Sequence, residues 1–390
     1  MESVIVSEPG CFLGTTSERL IVRGPRPHLE VIEGGPQLSF PFDLPAKTPL
    51  TVVTSSGAKT PPPPLRRRRN ADGTPAPKTT PDQLELPLFR ISEIVIAAPG
   101  VSMSTDLIEA CCERGIRVSF LTGMGRPFAM LSSPMLTATV ITRRKQMAAY
   151  GDQRGCQFAR AVVRGKLGNQ AALLKYFGKY QKTADAEAFE QLTKTVRSIE
   201  ALRRDVDGAA GNRIDDMRGS LLAIEGAAGR HYWSGVRLLM EGRAAFETRE
   251  HRGATDPINS ALNYGYGILY SQVWGAIMNA GLEPFAGFLH VDRPGKPSLV
   301  LDLIEEFRQP IVDRAVIAMV TKGTAIAVTG GMLTDESRRT VASAVIERLE
   351  SDLNFRGRRH LLKSILQIQA RNLATFLRGG SAYRPFAFKW

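Results

Sequence analysis

Residues 256–314 read DPINSALNYGYGILYSQVWGAIMNAGLEPFAGFLHVDRPGKPSLVLDLIEEFRQPIVDR. Asp256 can accept from the free N–H groups of a first helical turn, and Pro257 suits the first helical position because it needs no donor there. Apolar residues then recur at helical spacing until Gly281 stops the helix. A loop rich in Gly and Pro follows. From Ser298 the helical pattern resumes, with a break expected at Pro310, whose ring and missing N–H do not fit a helix interior.

The same pattern extends on both sides of this stretch. From about Leu136 the chain reads as helices with basic residues between apolar ones; 213–247 is one long helix or two, and the last helix spans roughly Arg359 to Leu377. Before that the signals change. VIVSE, ERLIVRG and HLEVIEG are β-branched runs broken by Gly and Pro, and LELPLFR, ISEIVIAAPG, IRVSFLT and PFAMLS continue them. One helix, MSTDLIEACCERG, lies among these strands, with Ser104 or Thr105 as its cap and Gly115 as its end. The expected fold class is α+β: a small N-terminal mostly-β domain over residues 1–133, then a large all-helical domain over 134–390. Residues 34–82 interrupt the β domain with a Pro/Arg-rich segment around PPPPLRRRRN, expected to be disordered.

Composition narrows the function. The net charge is +13, and removing Arg66 to Arg69 leaves +9, so the basicity is spread through the chain. A basic protein favours polyanionic partners, and with no lipidation motif or amphipathic anchor that points to nucleic acid rather than membrane. No basic leader precedes an apolar stretch at the N-terminus, so a cytoplasmic location is expected. The four cysteines, Cys11, Cys111, Cys112 and Cys156, form no CxxC pair and read as buried thiols. There is no GxxxxGK[ST] loop, no strand–GxGxxG–helix unit and no GxSxG elbow, which removes the usual phosphate and nucleophile cradles. Gly330 and Gly331 read as an ordinary turn.

Candidate chemistry gathers at His290, which ends the apolar run GFLH inside the loop. Asp302 and Glu305 follow twelve and fifteen residues later. These two acids are three apart and share a helical face, beside apolar Leu301, Ile304 and Phe307. A buried face with two carboxylates needs a compensating cation, either an arginine or a metal. Glu225, in LLAIEGAAGRHYW, is a third acid beside small residues that let another chain or a substrate come close. One imidazole with carboxylates suits Mn²⁺ or Mg²⁺.

The stretch 256–314 resembles the core of the CRISPR-associated endonuclease "Cas one", the integrase of CRISPR adaptation. The resemblance rests on Asn259, Asn263 and Tyr266, then GFLH, then the PSL–LDL–EEFR block, and on the EG–A–YW pattern in LLAIEGAAGRHYW. VSEPGCFLG, ERLIVRG, LFRISEIVI through RVSFLTGMGR, and the tail ILQIQARNLATFLRGGSAYRPFAFKW extend it over nearly all of the chain outside 34–82. It implies a metal-dependent DNA endonuclease and integrase, with Glu225, His290 and Glu305 as metal ligands and Asp302 as the adjacent catalytic acid. It also implies Mn²⁺ or Mg²⁺ as cofactor, double-stranded DNA as substrate, a homodimer, and a complex with the small partner "Cas two". Arg252, Tyr266, Arg143, Arg144 and Lys145 are the DNA-binding candidates, with Tyr264, Arg356, Arg358 and Arg359 as further ones. Two other readings fit the same charge and ligand set: a non-catalytic DNA-binding architectural protein, and a metal-dependent hydrolase of small molecules.

Overall fold

The computed structural model describes residues 2–24, 29–32, 82–123, 125–131, 139–251 and 253–388. The Pro/Arg-rich segment lies outside the described residues except at its end, because Asp82 already belongs to a strand.

Among the described residues, the N-terminal part holds β1 (Glu2–Val6), β2 (Phe12–Thr16), β3 (Arg19–Gly24), β4 (Leu29–Ile32), β5 (Asp82–Pro87), β6 (Ile91–Ile96), β7 (Ser102–Met103), α1 (Thr105–Arg114), β8 (Arg117–Leu121) and β9 (Pro127–Leu131). They form two sheets. One is mixed and five-stranded in the order β4-β1-β6-β8-β9; the other is four-stranded in the order β5-β3-β2-β7. Strand β5 pairs antiparallel with β3, from Arg19 opposite Pro87 to Gly24 opposite Asp82. Val4, Val6, Leu13, Leu20, Val22, Ile94, Ile96, Leu107 and Cys111 build the core that joins both sheets to α1. Ser104 caps α1 by accepting from the Leu107 N–H, and Gly115 ends it with φ +66°, a conformation that favours glycine.

The C-terminal part is dominated by helices: α2 (Thr139–Ala149), α3 (Gln153–Gly178), α4 (Gln181–Ala184), α5 (Ala186–Asp205), α6 (Ile214–Met240), α7 (Pro257–Asn279), α8 (Ser298–Ile304), α9 (Arg314–Thr321), α10 (Asp335–Leu349) and α11 (Leu362–Leu377). As the sequence predicts, Asp256 caps α7 by accepting from the Asn259 N–H, with Pro257 in the first turn. Helix α7 is buried on most of its surface and packs against α8, α10 and α11. At Gly267 it also meets the turn before β9: any Cβ there would overlap the carbonyl oxygen of Gly125, so only glycine permits this approach. Gln272 of α7 donates to buried Glu93 of β6 and accepts from Arg117 of β8 at 2.7 Å, a polar tie between the two parts of the chain.

The helical part departs from expectation in two places. It carries two short hairpins, β10 (Val328–Thr329) with β11 (Met332–Leu333) and β12 (Asp352–Phe355) with β13 (Arg358–Leu361). Each is closed by two residues at positive φ, Gly330–Gly331 and Arg356–Gly357, the backbone that two-residue hairpin turns need. The last helix therefore starts at Leu362, because Arg359 is still in a strand. At Pro310 the helix widens into a π turn over Arg308–Asp313 rather than stopping. Proline removes one i→i−4 bond, and the backbone slips register while remaining buried.

Three of the four free cysteines, Cys11, Cys111 and Cys156, are buried, and no helix among the described residues is long and apolar enough to cross a membrane.

The extended tail after α11 returns to the helical core. Glu306, fully buried, accepts from the Phe386 N–H at 2.7 Å, Gln369 Nε2 at 2.9 Å and the Tyr383 hydroxyl at 2.7 Å. Asn169 Nδ2 bridges the carbonyls of Glu306 and Phe386 at 2.8 and 3.0 Å, and Phe307 stacks on Phe386. Burial pushes the Glu306 carboxyl up to about 7, although the Phe386 N–H, Gln369 and Tyr383 pull it down. The folded protein thus holds this proton more tightly than the unfolded chain does. Its stabilising contribution is full below the ordinary carboxylate range and is lost as pH rises through about 7. In Glu306→Gln the carbonyl still accepts from Phe386 and Gln369 and the amide faces the Tyr383 hydroxyl, at a cost of about 1 kcal/mol. The stability of the native protein relative to Glu306→Gln, read from urea unfolding, should fall as pH rises from about 5 to about 8 and pass below that of the variant. A constant difference would show that Glu306 does not titrate in this range.

Candidate active site

The loop between α7 and α8 carries His290, and its backbone is held by side chains rather than by regular structure. Gly287 lies so close to α8 that a Cβ would stand 2.5 Å from the Ser298 carbonyl carbon. Its N–H donates to Ser298 Oγ at 2.8 Å, and that hydroxyl donates to the Phe285 carbonyl at 2.7 Å. The Phe288 ring is buried edge-on against Phe158, while its carbonyl accepts from Arg218 at 3.2 and 3.1 Å.

Asp302, fully buried on α8, gathers the rest of the loop. Its Oδ2 accepts from the N–H groups of Phe288 and Leu289 at 2.6 and 3.0 Å. Its Oδ1 accepts from the His290 N–H at 2.9 Å and faces His290 Nδ1 at 2.8 Å. With a carboxylate there, Nδ1 carries the proton and Nε2 is left with a free lone pair. Both Asp302 oxygens are used twice, so the acid positions the imidazole and has little left for a direct ligand role.

Glu305 follows at the C-terminal end of α8 and is 4% exposed. Glu225 comes from the middle of α6, where a Cβ on either Gly226 or Gly229 would meet nothing within 4 Å, leaving open space beside the acid. The two glutamates converge on Lys166 of α3, whose Nζ donates to Glu225 Oε1 and lies 2.6 Å from Glu305 Oε2. Arg308 Nε stands 3.5 Å from Glu305 Oε1. Burial pushes the Glu305 carboxyl up, but Arg308, Lys166 and His290 together hold it down at about 2. Burial likewise works against the charge of Lys166, yet Glu305 and Glu225 outweigh it and raise its pKa. The cluster thus contains two carboxylates, an ammonium and a guanidinium, with the imidazole beside them. Among the described residues no three of His, Cys, Asp and Glu stand arranged to hold an ion as they are, and the Lys166 ammonium lies between the two acids.

The structure brings Glu225, His290, Glu305 and Asp302 into one neighbourhood, though they span eighty residues of sequence. The DNA-binding candidates are more scattered. Arg144 and Lys145 are exposed on α2, while Arg143 pairs with Glu283 at 3.6 Å. Arg143 also lines a groove of about 1670 Å³ between the β8–β9 strands and α7, along with Phe128, Tyr270, Trp274, Asn263 and Arg308. Tyr266 and Tyr264, expected to reach DNA, are core residues at 9% and 3% exposure. The Tyr266 hydroxyl donates to Asp313, the Arg249 and Arg308 guanidiniums lie 5.4 and 4.9 Å from its ring centre, and both tyrosines line the same groove as Arg143. Arg356, Arg358 and Arg359 sit on the β12–β13 hairpin, exposed, with Arg359 facing Asp352 at 3.3 Å. Arg252 lies outside the described residues.

Sequence reasoning missed Lys166. The signal was present: a lysine within the apolar stripe of Val162, Val163 and Leu167 cannot be left unpaired once α3 is buried. It also passed over Arg308 and His251. The latter lines the same groove, and its imidazole is held neutral-leaning by burial and by Arg249, Arg308 and Lys166.

A basic α+β chain that brings an imidazole and two helix-borne acids into one neighbourhood has the make-up of a nucleic-acid-processing enzyme. Comparison narrows this. The family described as CRISPR associated protein Cas1 matches residues 76–347. A CRISPR-associated endonuclease Cas1 of Archaeoglobus fulgidus is 37% identical over 312 residues, 76% of this chain and 89% of that relative. Two solved structures share the fold at 18% identity. A casposase bound to integration product has TM-score 0.71 and covers 100% of this chain and 95% of its own. A Cas6-RT-Cas1–Cas2 complex has TM-score 0.67 and covers 99% of this chain and 36% of its own. The chain belongs to the Cas1 family of CRISPR-associated endonucleases.

In Asp302→Asn the fold around His290 should weaken. An amide presents one acceptor oxygen where the acid presents two, so one pair of N–H groups faces an NH₂. The cost expected from chemical unfolding is about 1–3 kcal/mol. A loss within error would mean that the loop is held by Ser298 and Arg218 alone.

Proposed function

We propose that this chain is the integrase of CRISPR adaptation, joining short DNA fragments into the repeat array. The 3′-hydroxyl of a captured fragment would attack a phosphodiester at the repeat border. A new O–P bond forms as the repeat strand's own 3′-O–P bond breaks, and the hydroxyl proton is lost. With water in place of the hydroxyl the same site cuts DNA. The observation that carries this reading is the convergence of Glu225 and Glu305 on one position already held by a cation, with His290 in the same neighbourhood.

These residues fit a divalent ion. Glu305 is buried, and its Oε2 has no aligned hydrogen bond, only the ion pair with Lys166. An imidazole and two carboxylates make a ligand set suited to Mn²⁺ or Mg²⁺. Glu225, His290 and Glu305 would hold it. When bound, such an ion stabilises charge on the phosphoryl oxygens by Lewis-acid chemistry. Asp302 fixes the His290 tautomer and ring plane, and Arg308 holds the Glu305 carboxylate from the other side. No covalent protein–DNA bond is needed.

The substrate is double-stranded DNA. Arg143, Arg144, Lys145, Arg252 and the β12–β13 arginines would follow its phosphates, which gives a steep salt dependence. Membership in an endonuclease family supports catalysis over a purely architectural role. The likeness in fold to a casposase solved with an integration product, and to Cas1 in a complex containing Cas2, supports strand joining in a complex with Cas2, and the family resemblance adds a homodimer.

In His290→Ala, strand transfer of a short duplex into supercoiled repeat DNA should fall by more than about a hundredfold in Mn²⁺, with duplex affinity nearly unchanged in a gel-shift series. Normal transfer products from this variant would remove His290 from the reaction.

A further inference from the structure

Lys166 is placed where a divalent ion would bind, and its surroundings show which parts of the site can move. Helix α3 is closely packed here: at Gly165 a Cβ would come within 2.7 Å of Pro385 and 3.6 Å of Glu306 Cγ, so the helix is seated against the returned tail. Arg308 is also fixed, with the Tyr266 ring against its guanidinium. The lysine joins its helix through four methylenes and ends between two acids from different elements. Glu225 is only partly buried and opens beside the unfilled space at Gly226 and Gly229. The ammonium is thus the charge in this cluster whose position can change without moving a backbone.

We infer that Lys166 is a positioning residue that occupies the cation position of the metal-free site and yields it to the divalent ion. The inference rests on the metal reading of Glu225, His290 and Glu305. In the metal-free protein the ammonium keeps two like charges at ligand spacing and spares the fold an uncompensated buried acid. A divalent ion must then displace a competitor already bonded to two of its three ligands. Lys166 therefore lowers metal affinity while it raises metal-free stability, two effects of opposite sign from one side chain. A merely structural lysine would produce only the second.

The test compares native protein, Lys166→Met, Lys166→Arg and Glu225→Gln at one fixed pH, without DNA. Mn²⁺ binding is followed by calorimetry and by the electron paramagnetic resonance signal of free Mn²⁺, and melting is recorded with and without Mn²⁺. Lys166→Met should bind Mn²⁺ on the order of tenfold more tightly, melt at a lower temperature without metal, and gain more from Mn²⁺ than the native chain does. Lys166→Arg keeps the competing charge and should show no tightening. If Lys166→Met does not fold without metal, Lys166→Gln, which keeps a polar end, takes its place in the same measurements.

Mn²⁺ binding lost in Glu225→Gln but no tighter in Lys166→Met or Lys166→Gln would overturn the exchange while leaving the metal site standing. Mn²⁺ binding unaffected by Glu225→Gln would remove the metal site, and the exchange with it.

Discussion

Two carboxylates from different helices, Glu225 on α6 and Glu305 at the end of α8, are folded toward one another in a mostly buried place. Like charges at that spacing repel strongly where water is scarce, so the arrangement exists only if positive charge lies between or beside them. Lys166 and Arg308 supply it. This requirement spreads outward. Arg308 is itself partly buried, and besides Glu305 the Tyr266 ring and the Asp313 carboxylate balance its charge. Asp313 accepts from the hydroxyls of Tyr232 and Tyr266, and burial pushes its carboxyl up to about 6 despite those bonds and the nearby arginines. Arg249 also lies near the Tyr266 ring, held by the Asn259 and Asn263 oxygens at 2.9 and 2.5 Å. The asparagines and the tyrosine of the α7 motif thus serve the site from behind, by fixing the charges that fix its acids.

The backbone shows the same economy. A catalytic loop without regular structure must place its N–H groups somewhere, and here one buried acid takes three of them. The fourth bond to that acid orients His290. Loop conformation and imidazole tautomer are therefore set by a single side chain, so one cannot be changed without the other. The π turn just past Glu305 is a comparable device. Pro310 denies the helix one bond, the register widens, and Arg308 and Asp313 are presented from a turn that an α-helix could not form.

The ligand types and the helices that carry them were legible in the sequence because each is a local fact. Asp256, Pro257 and Gly281 punctuate α7, and Asp302 and Glu305 share a face by helical spacing alone. That Glu225 joins them was not a local fact; only the resemblance placed it there. The limits have physical causes. Tyr266 reads more often as a core residue than as a stacking one, because it lies in an apolar helical run, and the fold buries most of its ring with two guanidiniums nearby. The hairpin at Arg356–Gly357 was hidden because its strands are only four residues long: DLNF alternates polar and apolar residues, but RRHL does not. The choice between arginine and metal as the compensating cation was posed on the assumption of a single answer. The fold uses an arginine permanently on one side of Glu305 and a lysine on the other, and neither can be inferred from the spacing of the acids.

That asymmetry bears on why the site is built with a lysine at all. An apolar residue on α3 would pack as well among Val162, Val163 and Leu167, but it would leave two acids facing each other across a dry gap. They would then repel each other or take up protons, which lowers the stability of the metal-free fold. An arginine would hold them, but its planar fork gives up bidentate bonds to carboxylates reluctantly. A lysine offers full charge through a compact, freely rotating end, enough to keep the acids in place and weak enough in geometry to be replaced. With α3 seated against the tail and the loop gathered by Asp302, the parts left free to respond are side-chain ends, so rearrangement at the centre need not pass into the fold around it.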